Sequence, residues 1–238
     1  MNNSNKVEKG LWISIGSPII AELASMSGFD WLLFDLEHGS LTESKLQDNL
    51  LAAKRNNIKL IVRVPEVNKN LISRALDWGA SGIMLPMVSC KEDAEKCVDA
   101  MYYAPLGTRG YTSSCRAYDY GLNKNEKPKP IFIAQIENIE GVENVESILE
   151  VKEIDMLFVG PSDLKKNLDA YADKTTIKFE NAIKTVTEAT KKHNRQAGIL
   201  IQNNKDIPKL VDLGYTFLGM SSDIKILGNG FKNIITKN

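Results

Sequence analysis

The chain has 238 residues, 43% of them hydrophobic, and its 30 basic and 30 acidic residues cancel. That balance leaves no global field to draw the protein to nucleic acid or an anionic membrane, and no apolar run approaches the roughly 20 residues that span a bilayer. The length suits one (β/α)8 TIM barrel, which typically needs about 250 residues, so residues 1–238 are expected to form a single domain with 1–9 as a flexible N-terminus.

In chain order, strands are expected at residues 11–16, 30–36, 59–64, 81–86, 131–136, 154–160, 196–201 and 216–220. Most are continuous apolar stretches, as in strands buried on both faces. Segments with helical spacing lie between them. Ser40-x-x-Glu43 and Ser89-x-x-Glu92 read as capping boxes at helix starts. Gly28, Gly79 and Gly214 read as helix stops leading directly into strands. Phe179, Ala182, Ile183, Val186 and Ala189 mark the buried face of a helix. Strand and helix alternate about eight times, which gives an α/β barrel; an open doubly wound sheet would show a Gly-rich first turn, and Gly16-Ser17-Pro18 is not one. The longest irregular stretch, 102–130, reads as a functional loop or a contact surface.

The three cysteines, Cys90, Cys97 and Cys115, are odd in number and lack a C-x-x-C spacing. They point to reduced thiols, with Cys97 on a helix face. The first ten residues, MNNSNKVEKG, hold no signal-peptide core. The expected location is cytoplasmic.

Five of the apolar runs end in polar clusters. They lead into Asp35-Leu36-Glu37-His38-Gly39, Arg63-Val64-Pro65, Pro86, Gln135-Ile136-Glu137 and Gly160-Pro161-Ser162-Asp163. Buried strands gain nothing in packing from charges at one end. A parallel barrel, however, collects the C-terminal ends of its strands on one face, where its chemistry sits.

Glu137 and Asp163 follow neighbouring strands and would repel unless a proton or cation lies between them. A hard ion such as Mg²⁺ suits one or two carboxylates; otherwise each is a solvated loop carboxylate or, for Asp163, a helix cap. His38 sits in a strand-end loop beside Asp35 and Glu37, placed either to act as a general base or to hydrogen-bond within a tight loop. His193, in Lys191-Lys192-His193-Asn194, is an ordinary basic helix end.

Arg63 ends an apolar strand and needs an anion, either a structural carboxylate or that of a substrate. Asp77, near a helix C-terminus, opposes the helix dipole and calls for a partner, Arg74 or a histidine. Gly160-Pro161-Ser162 either presents backbone amides to a carboxylate or forms a plain turn.

Together these motifs resemble the HpcH/HpaI aldolase family, the metal-dependent class II pyruvate aldolases of the phosphoenolpyruvate/pyruvate barrel group. The resemblance runs from about residue 10 to 220. It rests on Gly-Ser-Pro at 16–18, Phe-Asp-Trp at 29–31, Asp-x-Glu-His-Gly at 35–39, Arg-x-Pro at 63–65 and Leu-Asp-x-Gly-Ala at 76–80. Pro-Met-Val at 86–88, Tyr-x-Pro-x-Gly-x-Arg-Gly at 103–110, Gln-x-Glu at 135–137 and Gly-Pro-Ser-Asp-Leu at 160–164 continue it.

The resemblance implies that Glu137 and Asp163 hold one Mg²⁺ or Mn²⁺ per subunit and that the metal binds pyruvate or another 2-oxo acid. Gln135 would hydrogen-bond nearby, and the amides around Ser162 and Asp163 would hold the carboxylate. Arg63 would stabilise the enolate oxygen. His38, oriented by Asp35 or Asp77, would be the base acting on the 4-hydroxyl of the substrate through water. Homo-oligomers, often hexamers built as trimers of dimers, are implied as well.

The chain departs from the family at Leu164-Lys165-Lys166-Asn167-Leu168-Asp169-Ala170-Tyr171, where many relatives carry a small Gly-containing loop, and in its short C-terminus after Met220. Both departures leave aldehyde specificity and oligomer contacts open. The rival readings are a citrate-lyase-like enzyme acting on an acyl-CoA, for which no basic cleft is evident, and a barrel that binds a 2-oxo acid without turnover. A Schiff-base aldolase is disfavoured because no lysine falls in the strand-end motifs.

Overall fold

Side chains alternate across each strand, and in a closed barrel that alternation decides which residues face the barrel interior and which face the helices. In the computed structural model, which describes residues 6–54, 58–122 and 129–236, this produces two separate apolar cores. Trp12, Trp31, Leu33, Ile61, Met84, Ile133, Met156, Phe158 and Phe217 fill the interior. The alternate residues Leu32, Phe34, Val62, Ile83, Ala134, Leu157 and Leu218 join the larger core beneath the helices.

The strands are β1 (Glu8–Ile13), β2 (Trp31–Asp35), β3 (Lys59–Arg63), β4 (Gly82–Leu85), β5 (Ile131–Ile136), β6 (Met156–Val159), β7 (Gln196–Leu200) and β8 (Tyr215–Ser222). They form a closed barrel in sequential order, parallel throughout, with β1 pairing β8. Around it run α1 (Pro18–Met26), α2 (Glu43–Ala52), α3 (Lys69–Asp77), α4 (Lys91–Met101), α5 (Ile139–Glu143) and α6 (Val145–Ile148). They are followed by α7 (Pro161–Ala170), α8 (Phe179–Lys192), α9 (Ile207–Leu213) and α10 (Asp223–Ile235). The protein is a single (β/α)8 TIM barrel; each of the eight strands overlaps its expected range, with β1 lying three residues earlier than the expected 11–16.

Aromatic rings plug the barrel. Trp31 stacks on Phe217 with centroids 4.2 Å apart, and Trp12 and Phe158 both meet Trp31 edge-on. Gly10 makes room for this plug: a Cβ there would lie 1.9 Å from the Trp31 ring. The interior is therefore solid beneath its C-terminal mouth, and a ligand entering from that side meets the strand ends.

Several local expectations need correction. Glu8 and Lys9, expected in a flexible N-terminus, begin β1; Lys59 Nζ lies 2.5 Å from the Glu8 carboxylate, and the Lys9 amide donates to Asp30. Residues 1–5 lie outside the described residues.

Neither capping box forms. α2 starts one residue after Thr42, while the Ser40 amide is taken by the Ser14 carbonyl at 2.7 Å. α4 starts after Cys90, and the Ser89 hydroxyl donates to the Met87 carbonyl instead. The glycine stops do form, with φ of +88° at Gly28, +96° at Gly79 and +108° at Gly214. The α8 face is as expected, with Ala182, Ile183, Val186 and Ala189 buried and Phe179 partly so.

The 102–122 stretch is ordered by two arginines at the N-terminal end of the barrel; its Lys/Asn-rich tail, 123–128, lies outside the described residues. Arg116 donates to the Trp78 carbonyl at 2.5 Å and the Leu50 carbonyl at 3.3 Å. It thereby caps the C-terminal ends of α3 and α2, a favourable position for a cation. Burial lowers its pKa.

Candidate active site

Alternation also places the polar residues. On β2, Trp31 and Leu33 face inward, so Asp35 does too; on β3, Ile61 and then Arg63; on β5, Ile133 and then Gln135, with Glu137 just beyond. Asp35 and Arg63 are register partners on adjacent strands. Two inward side chains at one level on neighbouring strands must meet, and they do. Arg63 Nε and Nη2 donate to the two Asp35 oxygens at 3.0 and 2.7 Å. Arg63 therefore has a structural carboxylate partner, held in the bidentate geometry that suits a guanidinium.

Glu37 adds a second acid to the arginine. Its Oε2 lies 2.9 Å from Arg63 Nη1, a charge contact without hydrogen-bond alignment, since that oxygen has no hydrogen-bond partner. Burial would lower the Arg63 pKa, but the bond to Asp35 and the charges of Asp35, Glu37 and Glu137 raise it.

The Asp35 Oδ1 atom also accepts the amides of Glu37 and His38 at 3.1 and 3.3 Å. The loop is pinned at its far side by the Ser14 carbonyl, which accepts from Ser40 and Leu41. His38 projects from this loop with its side chain 67% exposed, and its Nε2 lies 3.6 Å from Glu37 Oε1.

Glu137 is buried. Its Oε2 accepts the Met87 amide at 3.1 Å and its Oε1 the Gln135 side-chain amide at 2.8 Å. Met87 reaches it in a left-handed conformation, φ +54°. Gly160 gives the carboxylate its space: a Cβ there would lie 2.1 Å from Glu137 Oε1. Burial pushes the Glu137 pKa up to about 7; the Met87 amide and Arg63 oppose this, while Glu37 and Asp163 reinforce it. Glu37 is raised too, by burial first, against the pull of Arg63 and His38.

Asp163 stands exposed in the first turn of α7. Of the expected amide cradle, Gly160 N–H is taken by the Ile136 carbonyl at 3.2 Å and Pro161 has none. The helix start leaves the amides of Ser162 and Asp163 for an anion.

Asp77 does not join this group. α3 carries it to the N-terminal end of the barrel, where it lies 2.5 Å from Arg109 Nη2. Neither expected partner holds it: Arg74 pairs with Glu43, and the cation at Asp77 is an arginine rather than a histidine. Within one chain, the expectation that Asp77 orients His38 is not met. Asp35, the other expected orienter, meets the His38 backbone amide.

Asp35, Glu37 and Glu137 thus surround one buried guanidinium, with Asp163 close enough to act on Glu37 and Glu137 and the exposed imidazole beside Glu37. Arg63 is committed to the first two, which leaves Glu137 and Asp163 short of positive charge. Among the described residues no three His, Cys, Asp or Glu side chains are grouped to hold a metal ion. A divalent ion here would take two carboxylates and complete its shell with water and substrate oxygens, the usual habit of Mg²⁺. Gln135 Oε1, buried without a partner beside Glu137, and the space guarded by Gly160 fit such an ion. A concavity of about 1010 Å³ at the opposite end of the barrel, lined by Tyr103, Arg109, Arg116 and Lys129 among others, holds no comparable convergence of acids among the described residues.

The model of the HpcH/HpaI aldolase/citrate lyase family matches residues 8–230. The chain belongs to that family. Over 231 residues it is 32% identical to a 5-keto-4-deoxy-D-glucarate aldolase of Klebsiella pneumoniae, a match covering 94% of this chain and 89% of the relative. It is 33% identical over 233 residues to a hydroxypyruvate/pyruvate aldolase of Roseobacter denitrificans, covering 96% and 91%. The crystal structure of an HpcH/HpaI aldolase/citrate lyase family protein from Burkholderia cenocepacia superposes with a TM-score of 0.89 at 29% identity, over 98% and 95% of the two chains. The protein is an aldolase, a carbon–carbon lyase.

Three residues of this HpcH/HpaI barrel carry more than their sequence signal shows. Glu37 is visible inside the Asp-x-Glu-His motif, but the motif alone gives it no task. Met87 donates a backbone amide, which no side-chain pattern announces. Asp223 at the start of α10 is buried and accepts the Ser14 and Ile15 amides at 3.0–3.1 Å; only its position just after an apolar strand could flag it.

Proposed function

We propose that the protein is a divalent-metal-dependent class II aldolase. It would reversibly cleave a 4-hydroxy-2-oxo acid to pyruvate, or a close 2-oxo acid, and an aldehyde. The observation that carries this reading is the acid surplus around Arg63, with Glu137 buried, its pKa pushed up to about 7 chiefly by that burial, and Glu37 and Asp163 adding to the rise. Glu137 and Asp163 are the residues that would hold Mg²⁺ or Mn²⁺. When bound, the ion supplies Lewis-acid charge to the 2-oxo and carboxylate oxygens of the substrate.

The chain's own groups supply the rest. The amides of Ser162 and Asp163 at the α7 N-terminus hold the substrate carboxylate, and Gln135 hydrogen-bonds beside it. His38 accepts the proton of the 4-hydroxyl as C3–C4 breaks and the aldehyde carbonyl forms. The bonding electrons pass to C3 and onto the 2-oxo oxygen, where Arg63, fixed by Asp35, donates to the developing negative charge. Return of that proton to C3 by way of solvent releases pyruvate and leaves His38 a free base again.

The working form is a homo-oligomer in the cytoplasm. Exposed Phe231, Ile234 and Ile235 on α10, and Ile19, Leu23 and Met26 on α1, are apolar faces suited to another copy of the chain. The three cysteines are unpaired, which suits a reducing compartment. Among the described residues no helix is long and apolar enough to cross a membrane.

A coupled pyruvate-release assay with a panel of 4-hydroxy-2-oxo acids tests the activity. Turnover that EDTA abolishes, without borohydride trapping, supports it. Metal-independent turnover or a trapped Schiff base overturns it. Turnover only on an acyl-CoA supports the citrate-lyase-like reading instead.

A further inference from the structure

The last register pairs of β1 are Trp12 with Ser222 and Ile13 with Phe34, so the amides of Ser14 and Ile15 lie past both ladders. Ser14 is buried, and a buried backbone donor needs an acceptor. Asp223, the first residue of α10 and only 3% exposed, supplies it. Its Oδ1 accepts from Ser14 at 3.0 Å and from Ile224 at 2.8 Å, and its Oδ2 accepts from Ser14 and Ile15 at 3.1 and 3.0 Å. Both oxygens of a buried carboxylate are thus spent on backbone, in charge-assisted bonds that are stronger than neutral ones.

The Ser14 carbonyl in turn accepts the amides of Ser40 at 2.7 Å and Leu41 at 3.2 Å, two and three residues after His38. The packing between is tight: a Cβ on Gly39 would lie 2.9 Å from the Ser14 oxygen and 2.5 Å from the Asp35 carbonyl. His38 therefore sits between two backbone anchors. Asp35 Oδ1 takes its own amide at 3.3 Å, and Ser14 takes the amides that follow. The imidazole is 67% exposed, so the loop backbone, more than side-chain packing, sets where it stands.

We propose that Asp223 is a positioning residue for His38. It holds Ser14, Ser14 holds the loop after His38, and the loop places the imidazole at the mouth of the barrel. This rests on the aldolase reading, in which His38 is the base. Among the described residues none of the Asp223 hydrogen bonds reaches Gln135, Glu137 or the α7 N-terminus. Its loss should therefore slow the proton transfer and leave 2-oxo acid binding in place.

Asp223→Asn tests this, because it leaves one accepting oxygen where Ser14, Ile15 and Ile224 now share two. In the wild-type background it should lower kcat by at least about tenfold, with KM for the 2-oxo acid changed less than about threefold. In a His38→Ala background the same substitution should change kcat by less than about threefold. Tyr215→Phe removes a buried bond to the Ile183 carbonyl at the other end of β8 and controls for lost stability alone; its kcat should stay within about twofold of wild type. Equal Asp223→Asn losses in both backgrounds, an equal loss in Tyr215→Phe, or an Asp223→Asn enzyme at the wild-type rate would overturn the proposal.

Hydrogen exchange of the full-length protein reads the loop without turnover. Asp223→Asn should speed exchange of the Ser40 and Leu41 amides by at least about tenfold while the β5 amides keep their protection. Unchanged exchange at both sinks the inference even if no 4-hydroxy-2-oxo acid is turned over. If the buried substitution does not fold, Ser40→Pro removes one of the two loop bonds from the exposed side and should show the same kcat loss; a wild-type rate there overturns the proposal. Absence of all turnover in the wild type, with loop exchange raised in the variant, would sink the aldolase reading alone.

Discussion

Replacing Glu137 with glutamine should stabilise the metal-free protein at neutral and alkaline pH and leave it unchanged in acid. In the folded chain the Glu137 pKa rises from an ordinary 4.5 to about 7, chiefly through burial. An acid whose folded-state pKa is raised binds more protons in the folded than in the unfolded state between those two values. Stability therefore falls as pH rises from 4.5 to about 7, and the full penalty stands above that range. The interval corresponds to on the order of 3 kcal/mol, an upper figure because local opening admits water. For a domain of this size that is about 6–12 °C in Tm.

The Glu137→Gln side chain would keep the shape, and its bonding can be satisfied. Its oxygen can accept the Met87 amide, and Gln135, whose Oε1 has no partner, can turn its amide to accept from the new NH₂ group. Thermal unfolding in EDTA from about pH 4 to about pH 9 should show the two proteins coinciding at the acid end and the variant pulling ahead through neutrality. Parallel curves across the range would show that Glu137 is solvated or already neutralised by a protein group, and the charge argument for a cation would fall.

Mg²⁺ or Mn²⁺ at about a thousandfold excess over Kd should reverse that order, stabilising the wild type by about 4.1 kcal/mol and leaving the Glu137→Gln variant unmoved; equal shifts would place the ion elsewhere. Gly160→Ala drives a Cβ to 2.1 Å from Glu137 Oε1, so it should fold yet bind metal at least about tenfold more weakly by calorimetry, and normal affinity would refute the cradle. Arg63→Lys loses the fork to Asp35 and should cut kcat about a hundredfold or more, with the loss seen in steady-state rates on any accepted 2-oxo acid. Asp35→Asn leaves a buried guanidinium without its bidentate partner and should destabilise the fold by about 3–5 kcal/mol in urea titrations. A smaller cost would mean that Glu37 takes over the charge.

The barrel is legible because its strands are buried on both faces and its helices end at glycines, two signals that survive without tertiary knowledge. Strand ends are less so. Apolar continuity extends β2 from Asp30 to Leu36, while the regular ladder runs from Trp31 to Asp35; just beyond it the Asp30 and Leu36 amides still reach the Lys9 and Arg63 carbonyls, partners distant in sequence that no local pattern shows. The capping boxes fail for the same kind of reason. Ser40 and Ser89 have the right neighbours in sequence, but the β1 loop and Asn138 engage their polar atoms from a distance.

In the site, Arg63, Gln135 and Glu137 can be placed together, since strand order and a period of two fix where they point. Which carboxylate serves which cation cannot be read that way. Asp35, Glu37 and Asp77 are chemically alike, and the choice among them depends on register across β2–β3 and on the path of α3. That distinction has a mechanistic edge. A barrel strand can aim a side chain inward, but only a pairing partner at the same level can hold it against solvent. The register of Asp35 with Arg63 uses that one available level for the guanidinium. The imidazole on the loop above has no such partner on a neighbouring strand: the acid beside it is Glu37, 3.6 Å away in the same loop.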